Sequence, residues 1–193
     1  MSLASSILDA KQQKLFIPVT EFQGLVAAAG VGTGVPVHEE IATLTPGLGA
    51  LEMAAAADDI AHMMAVPTDW DRRHPISVRF VWSSQSATAA DTVDWKFLYK
   101  LMTPDSTVIA VPSTALDTVI PQETVVGTAN TLQRTAPGII NGNTIADAAE
   151  YIIFLCEMDA LAAGLSEKVY FHGIEFGYTP KWSKHGSNMP AKP

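Results

Sequence analysis

Thr92 to Met102 reads TVDWKFLYKLM, in which Val93, Trp95, Phe97, Tyr99 and Leu101 alternate with Thr92, Asp94, Lys96 and Lys100. On a helix these residues would scatter around the circumference. On a strand, successive side chains point to opposite faces, so five large apolar groups share one face and the charges take the other. The stretch reads as a half-buried strand. The run before it repeats the device: Ile76, Val78, Phe80 and Trp82 point one way and Ser77 and Arg79 the other, behind Pro75, which a strand tolerates at its start. Between the two runs, Ser83 to Asp91 (SSQSATAAD) is small and polar and predicts a surface connection between paired antiparallel strands.

Working outward, Thr107 to Val111 and the valine- and threonine-rich Glu123 to Gln133 predict two more strands, each exposed on one face. Tyr151 to Met158 (YIIFLCEM) is almost continuously apolar, which predicts a central strand covered on both sides or lying in a subunit contact. Val169 to Tyr178 alternates, with Tyr170, Ile174, Phe176 and Tyr178 on one face and Gly173 and Gly177 on the other, where a second backbone can approach closely. Asp58 to Val66 alternates through Ile60, His62, Met64 and Val66; the alanine-rich approach from Met53 also suits a helix, but the stop at Pro67 and the turn-like segment after it favour a strand. Short strands with turn signals and few helical candidates predict an all-β fold: a two-sheet antiparallel sandwich, jelly-roll-like, with an extended N-terminal arm.

The ends differ from the middle. Residues 1–48 hold one short strand candidate, Leu15 to Val19, and a glycine-rich piece, AAAGVGTGVP, so they read as an arm that must lie on something. Residues 49–180 form the sandwich. Residues 181–193 (KWSKHGSNMPAKP) carry three lysines and no acid, which leaves 9 basic against 20 acidic groups in the rest of the chain. That cationic tail reads as a mobile terminus or as an extension that docks on an acidic neighbouring copy.

The formal charge of −8 argues against a protein that neutralises nucleic-acid phosphates. No run approaches the roughly 20 apolar residues of a membrane span, and MSLASSILDAKQQK lacks the basic start and apolar centre of an export signal, so neither is expected. The single cysteine, Cys156, excludes an internal disulfide and lies inside an apolar run where burial would leave its thiol inert.

Catalytic and metal motifs are weak. GVGTG follows alanines and precedes Val35-Pro36-Val37, whereas a phosphate loop needs a strand before it and a helix after it. His38-Glu39-Glu40 begins like a zinc-protease helix, but Ala42 stands where the second histidine would be. The five histidines are scattered, and His62 and His172 read as packed, hydrogen-bonded strand residues. No Gly-x-Ser-x-Gly elbow exists. No enzyme activity, cofactor or metal is expected. The densest charged cluster, Asp69, Asp71, Arg72, Arg73 and His74, surrounds Trp70; it reads as surface ion pairs in a turn with the tryptophan folded onto the sandwich end. Its alternative role is a glycan contact made by Asp69, Trp70 and Asp71.

Three stretches, DWDRRHPISVRFVWSSQSATAADTVDWKFLYKLM (69–102), NGNTIADAAEYIIFLCEMDA (141–160) and KVYFHGIEFGYTP (168–180), together resemble a β-sandwich pattern of tailed-bacteriophage structural proteins. The chain departs from the pattern at Ala149-Glu150, where Gly-Asp is usual, and at Met158-Asp159, which replaces an Arg-Asp ending. The resemblance implies a virion component: a capsid decoration or cement protein, homotrimeric, made in the host cytoplasm and bound to the major capsid protein on the outer surface of the head. Copies with arms and oppositely charged tails suit symmetric assembly. On that reading Lys11, Lys14, Leu15, Phe16 and Ile17 are the candidate shell contacts. The alternative is a glycan-binding or structural β-sandwich of a tail fibre or baseplate.

Overall fold

The structure is a computed structural model that describes residues 12–24, 37–40, 49–53, 59–89, 91–105, 117–119, 122–141, 149–161 and 167–181. Two antiparallel sheets contain all the strands among the described residues. The first is ordered β10 (Gln133–Arg134), β6 (Ile76–Ser84), β13 (Val169–Tyr178), β4 (Gly49–Met53), β3 (Val37–Glu40), with β1 (Gln13–Pro18) on β13 and β11 (Gly138–Ile140) on β6. The second is ordered β2 (Gln23–Gly24), β5 (Asp59–Ala65), β12 (Tyr151–Leu161), β7 (Thr92–Met102), β8 (Asp117–Val119), with β9 (Gln122–Thr124) on β7. Strands β4 to β7 alternate between the sheets, as does the β12 to β13 step, which gives the sandwich its jelly-roll character. The expected fold class holds.

The alternation in β7 explains the core. Its apolar face meets that of β6 across the sandwich, where Phe80 stacks on Trp95 with ring centroids 5.0 Å apart and planes 15° from parallel. Phe97, Phe154, Phe171 and Phe176 continue the aromatic layer, all buried. The indole Nε1 atoms of Trp82 and Trp95 are buried without a hydrogen-bond partner. Each such donor costs about 1–3 kcal/mol. A buried tryptophan removes about 150–250 Å² from water, worth roughly 4–6 kcal/mol at about 25 cal/mol per Å², so burial wins.

The outer-sheet partners correct three expectations. Ser83 to Asp91 does not join paired strands: β6 and β7 lie in different sheets and face each other through the core. Their apolar faces can cover one another that way, and a connection of this length can cross between layers where a two-residue turn could not. Strand β13 does not keep one alternation. A bulge between Phe171 and Gly173 shifts the register against β6, so Val169 and Phe171 join Ile174, Phe176 and Tyr178 in the core while Tyr170 falls on the opposite face. Glu123 to Gln133 is not one strand but the ends of two, β9 and β10, separated by a loop in which Asn130 has φ 58°. The expected strand at Thr107 to Val111 and the glycine-rich piece AAAGVGTGVP lie outside the described residues.

The central place of β12 is as expected. It pairs with β5 over Tyr151–Glu157 on one side and with β7 over Tyr151–Leu161 on the other. Glu157 on its outer face ion-pairs with Lys96 of β7 at 2.6 Å. Of the segment read as an arm, residues 12–24 and 37–40 supply β1, β2 and β3 to both sheets, and Ile17, Val19 and Phe22 enter the core. Strand β1 runs along β13 from Gln13 opposite Tyr178 to Pro18 opposite Gly173. Gly173 makes this possible: its φ of 151° suits glycine, and a Cβ there would run into the Ile17 carbonyl and the Phe16 ring.

Candidate functional site

The loop after β5 closes one end of the sandwich. Trp70 is 1% exposed, its indole donates to the His74 carbonyl at 3.1 Å, and its backbone bridges Pro180 just past β13. The Asp71 amide donates to the Thr179 carbonyl at 2.8 Å, and the Lys181 amide donates to the Asp69 carbonyl. The same loop is tied to the other sheet, because Arg72 Nη2 donates to the Ala149 carbonyl at 2.9 Å ahead of β12. Val66 donates to the Glu150 carbonyl at 2.8 Å, locking the end of β5 to the start of β12. Three segments far apart in sequence therefore meet where the sheets end.

Between them lies a cleft of about 330 Å³ lined by Ala65 to Thr68, Trp70, Arg72, Ala149 to Tyr151 and Lys181. Trp70 lines it, with the Arg72 guanidinium 6.0 Å from the ring centroid. That distance allows a cation–π attraction, which holds the cation against the wall. Tyr151 opens β12 and is 38% exposed, because it points away from the core on a strand whose next residue, Ile152, is fully buried. Thr68, Glu150 and Lys181 are exposed around it. Among the described residues the lining offers one accessible aromatic, a hydroxyl, a carboxylate and two cations.

Of the residues expected at a glycan site, Trp70 lines the cleft, while Asp69 and Asp71 are not in its lining and are held in structural contacts. Asp71 accepts hydrogen bonds from Arg73, whose Nε and Nη2 lie 2.9 and 2.6 Å from its two oxygens. Those bonds hold its carboxyl down to about 2, against the opposing effect of burial, and raise Arg73 in return. Asp69 accepts from the Tyr178 hydroxyl at 3.0 Å, and burial together with that bond pushes Tyr178 up. The turn thus carries the ion pairing read from its sequence, with Trp70 folded onto the sandwich end. Trp182, beyond Lys181, lies outside the described residues.

The expected shell contacts separate. Lys11 lies outside the described residues. Ile17 faces the core and is buried, so it makes no outside contact; strand alternation, which places Leu15 and Ile17 on the inner face of β1, is the reason. Lys14 and Phe16 take the outer face, where Lys14 pairs with Glu175 at 3.2 Å and Phe16 is 51% exposed. Leu15 is also exposed despite its inward register.

One buried pair was hidden from sequence reasoning. The bulge in β13 aims His172 at Ser83 of β6, with Nε2 2.9 Å from Oγ. Burial pushes this histidine down, toward the neutral form. Both side chains are buried, and among the described residues no carboxylate hydrogen-bonds the ring, so the pair links two strands. His62 is likewise a packed strand residue, its Nδ1 2.8 Å from the Glu21 carbonyl. Among the described residues no group of three or more histidine, cysteine or acidic side chains is placed to hold a metal ion.

No family model matches the sequence, and no curated protein matches it. Among solved structures the chain is similar to a xylan-binding module, CBM15, at 9% identity and a TM-score of 0.44, covering 88% of this chain and 99% of that one. It is also similar to a carbohydrate-binding module specific for non-crystalline cellulose, CBM28, at 10% identity and a TM-score of 0.26, covering 68% and 78%. The two-sheet assignment rests on the strand pairing itself.

Proposed function

We propose that the chain is a non-catalytic, glycan-binding β-sandwich and that the end cleft is its binding site. The observation that carries this reading is Tyr151, an exposed aromatic lining a cleft that also holds the side chains of Thr68, Glu150, Arg72 and Lys181. A sugar ring presents an apolar C–H face and a hydroxyl edge, and an aromatic beside convergent polar groups meets both. The volume sits at the lower end of the roughly 300–1,000 Å³ of small-molecule sites, which suits a mono- or disaccharide unit. The site lies on strand ends and a loop held by a rigid scaffold, where recognition residues can vary without disturbing the core.

A glycan array probed with the wild-type chain and with Tyr151→Ala tests the reading. Discrete hits that vanish in the variant, with its melting temperature kept, are expected. A blank array for the wild-type protein overturns it.

A second reading, a capsid decoration protein bound to the major capsid protein, draws on a different surface. It is favoured by Phe16, an exposed apolar side chain on the outer face of β1, together with the resemblance to phage structural proteins. It predicts hundreds of copies per purified particle, lowered in Phe16→Ser. A chain not found in particles removes that reading and leaves the cleft untouched.

A further inference from the structure

Resting on the glycan-binding reading of the cleft, we infer that its ligand is an acidic glycan whose carboxylate is met by Lys181. The charges of the lining run against those of the whole chain. The protein carries −8, so an anionic ligand is repelled by the body at long range and needs a local cation to settle. Among the described residues the cleft supplies two, Arg72 and Lys181, against one carboxylate, Glu150.

The two cations play different parts. Arg72 is held in the wall, its guanidinium over Trp70 and bonded to the Ala149 carbonyl, and contributes a fixed positive charge. Lys181 is exposed, yet its backbone is pinned by its amide to the Asp69 carbonyl and by the neighbouring bridge of Pro180 to Trp70. Its ammonium therefore starts from a fixed point on the rim and can swing onto a ligand seated against Tyr151. The sequence adds a charge of the same sign: residues 181–193, with three lysines and no acid, begin at this rim. A site for neutral sugar has no need of that bias.

The carboxylate can come from a uronic acid or from a sialic acid, and two matched pairs of ligands distinguish the sources. The full chain is titrated calorimetrically with trigalacturonic acid and its methyl ester, and with 3′-sialyllactose and lactose. One acid is expected to bind about fivefold or more tightly than its neutral counterpart at low salt, in keeping with a single partly exposed ion pair. The preference should shrink at about 1 M salt, where screening reaches within about 3 Å. Lys181→Ala should bring the acid's affinity down to that of its neutral counterpart, and Lys181→Arg should retain the preference. Equal binding of acid and neutral forms, or a preference that survives in Lys181→Ala, overturns this inference and leaves the glycan reading standing. Failure of all four ligands together with a blank array removes the glycan reading itself.

Discussion

The interior and the end cleft are built from the same kinds of residue and use them oppositely. In the interior, Phe80, Trp95, Phe97 and Phe154 meet one another and no solvent, and even the Trp82 and Trp95 indole N–H groups go unpartnered. In the cleft, Trp70 has its N–H bonded to His74 and a cation near its ring, while Tyr151 turns its ring outward. The comparison teaches that aromatic content alone does not mark a binding surface. The proposed surface differs in holding an aromatic, Tyr151, that is exposed beside the buried Ile152 and set near exposed polar groups.

The largest expected effect breaks the interior. Phe80→Ala removes the stacking partner of Trp95 and a ring that touches Phe97 and Phe171, and should cost about 3–5 kcal/mol of stability in denaturant titration. A loss below about 1 kcal/mol would mean that the two sheets do not pack through this layer. Next comes the seam between β1 and the sandwich. Gly173→Ala places a Cβ against the Ile17 carbonyl at a φ that strains any other residue, and should cost about 1–3 kcal/mol while raising amide exchange along Gln13–Pro18. Unchanged exchange there would contradict the pairing of β1 with β13.

At the cleft the signs reverse. Tyr151→Ala should move stability by no more than about 1 kcal/mol, because the side chain is already partly in water, but should weaken glycan binding by about tenfold or more. A large stability loss with intact binding would place Tyr151 with the interior instead. The smallest effects are in pH dependence. Asp71 is held below its ordinary value, so its stabilisation is present above about pH 4 and fades as pH falls toward 2; Asp71→Asn should flatten that part of the stability profile. His172 is also depressed, so the stability it contributes when neutral is complete above about 6.5 and is lost as pH falls through its folded value. His172→Gln should remove that slope, and a slope that remains would locate it elsewhere.

Much of the interior was legible in the chain because it depends on local period. The alternation in TVDWKFLYKLM gave the bounds and the buried face of β7, and the unbroken run YIIFLCEM gave a central strand. What was not legible depends on partners. Nothing between Ser83 and Asp91 says which sheet the chain enters next, and the β13 bulge exists only in its register against β6. The site was half legible for the same reason. The turn around Trp70 announced itself as a charged cluster, but as structure its acids are consumed by Arg73 and Tyr178. Tyr151 was concealed in an apolar strand and Lys181 in a cationic tail, and only folding brings them to Arg72.

The central claim, that the end cleft is where this protein binds its partner, is tested most directly by backbone amide shifts on adding a glycan identified by the array. Shifts confined to residues 65–72, 149–151 and 181, with residues 14–16 of β1 unmoved, are the predicted result. Shifts that cluster on β1 and leave the cleft unchanged would contradict it.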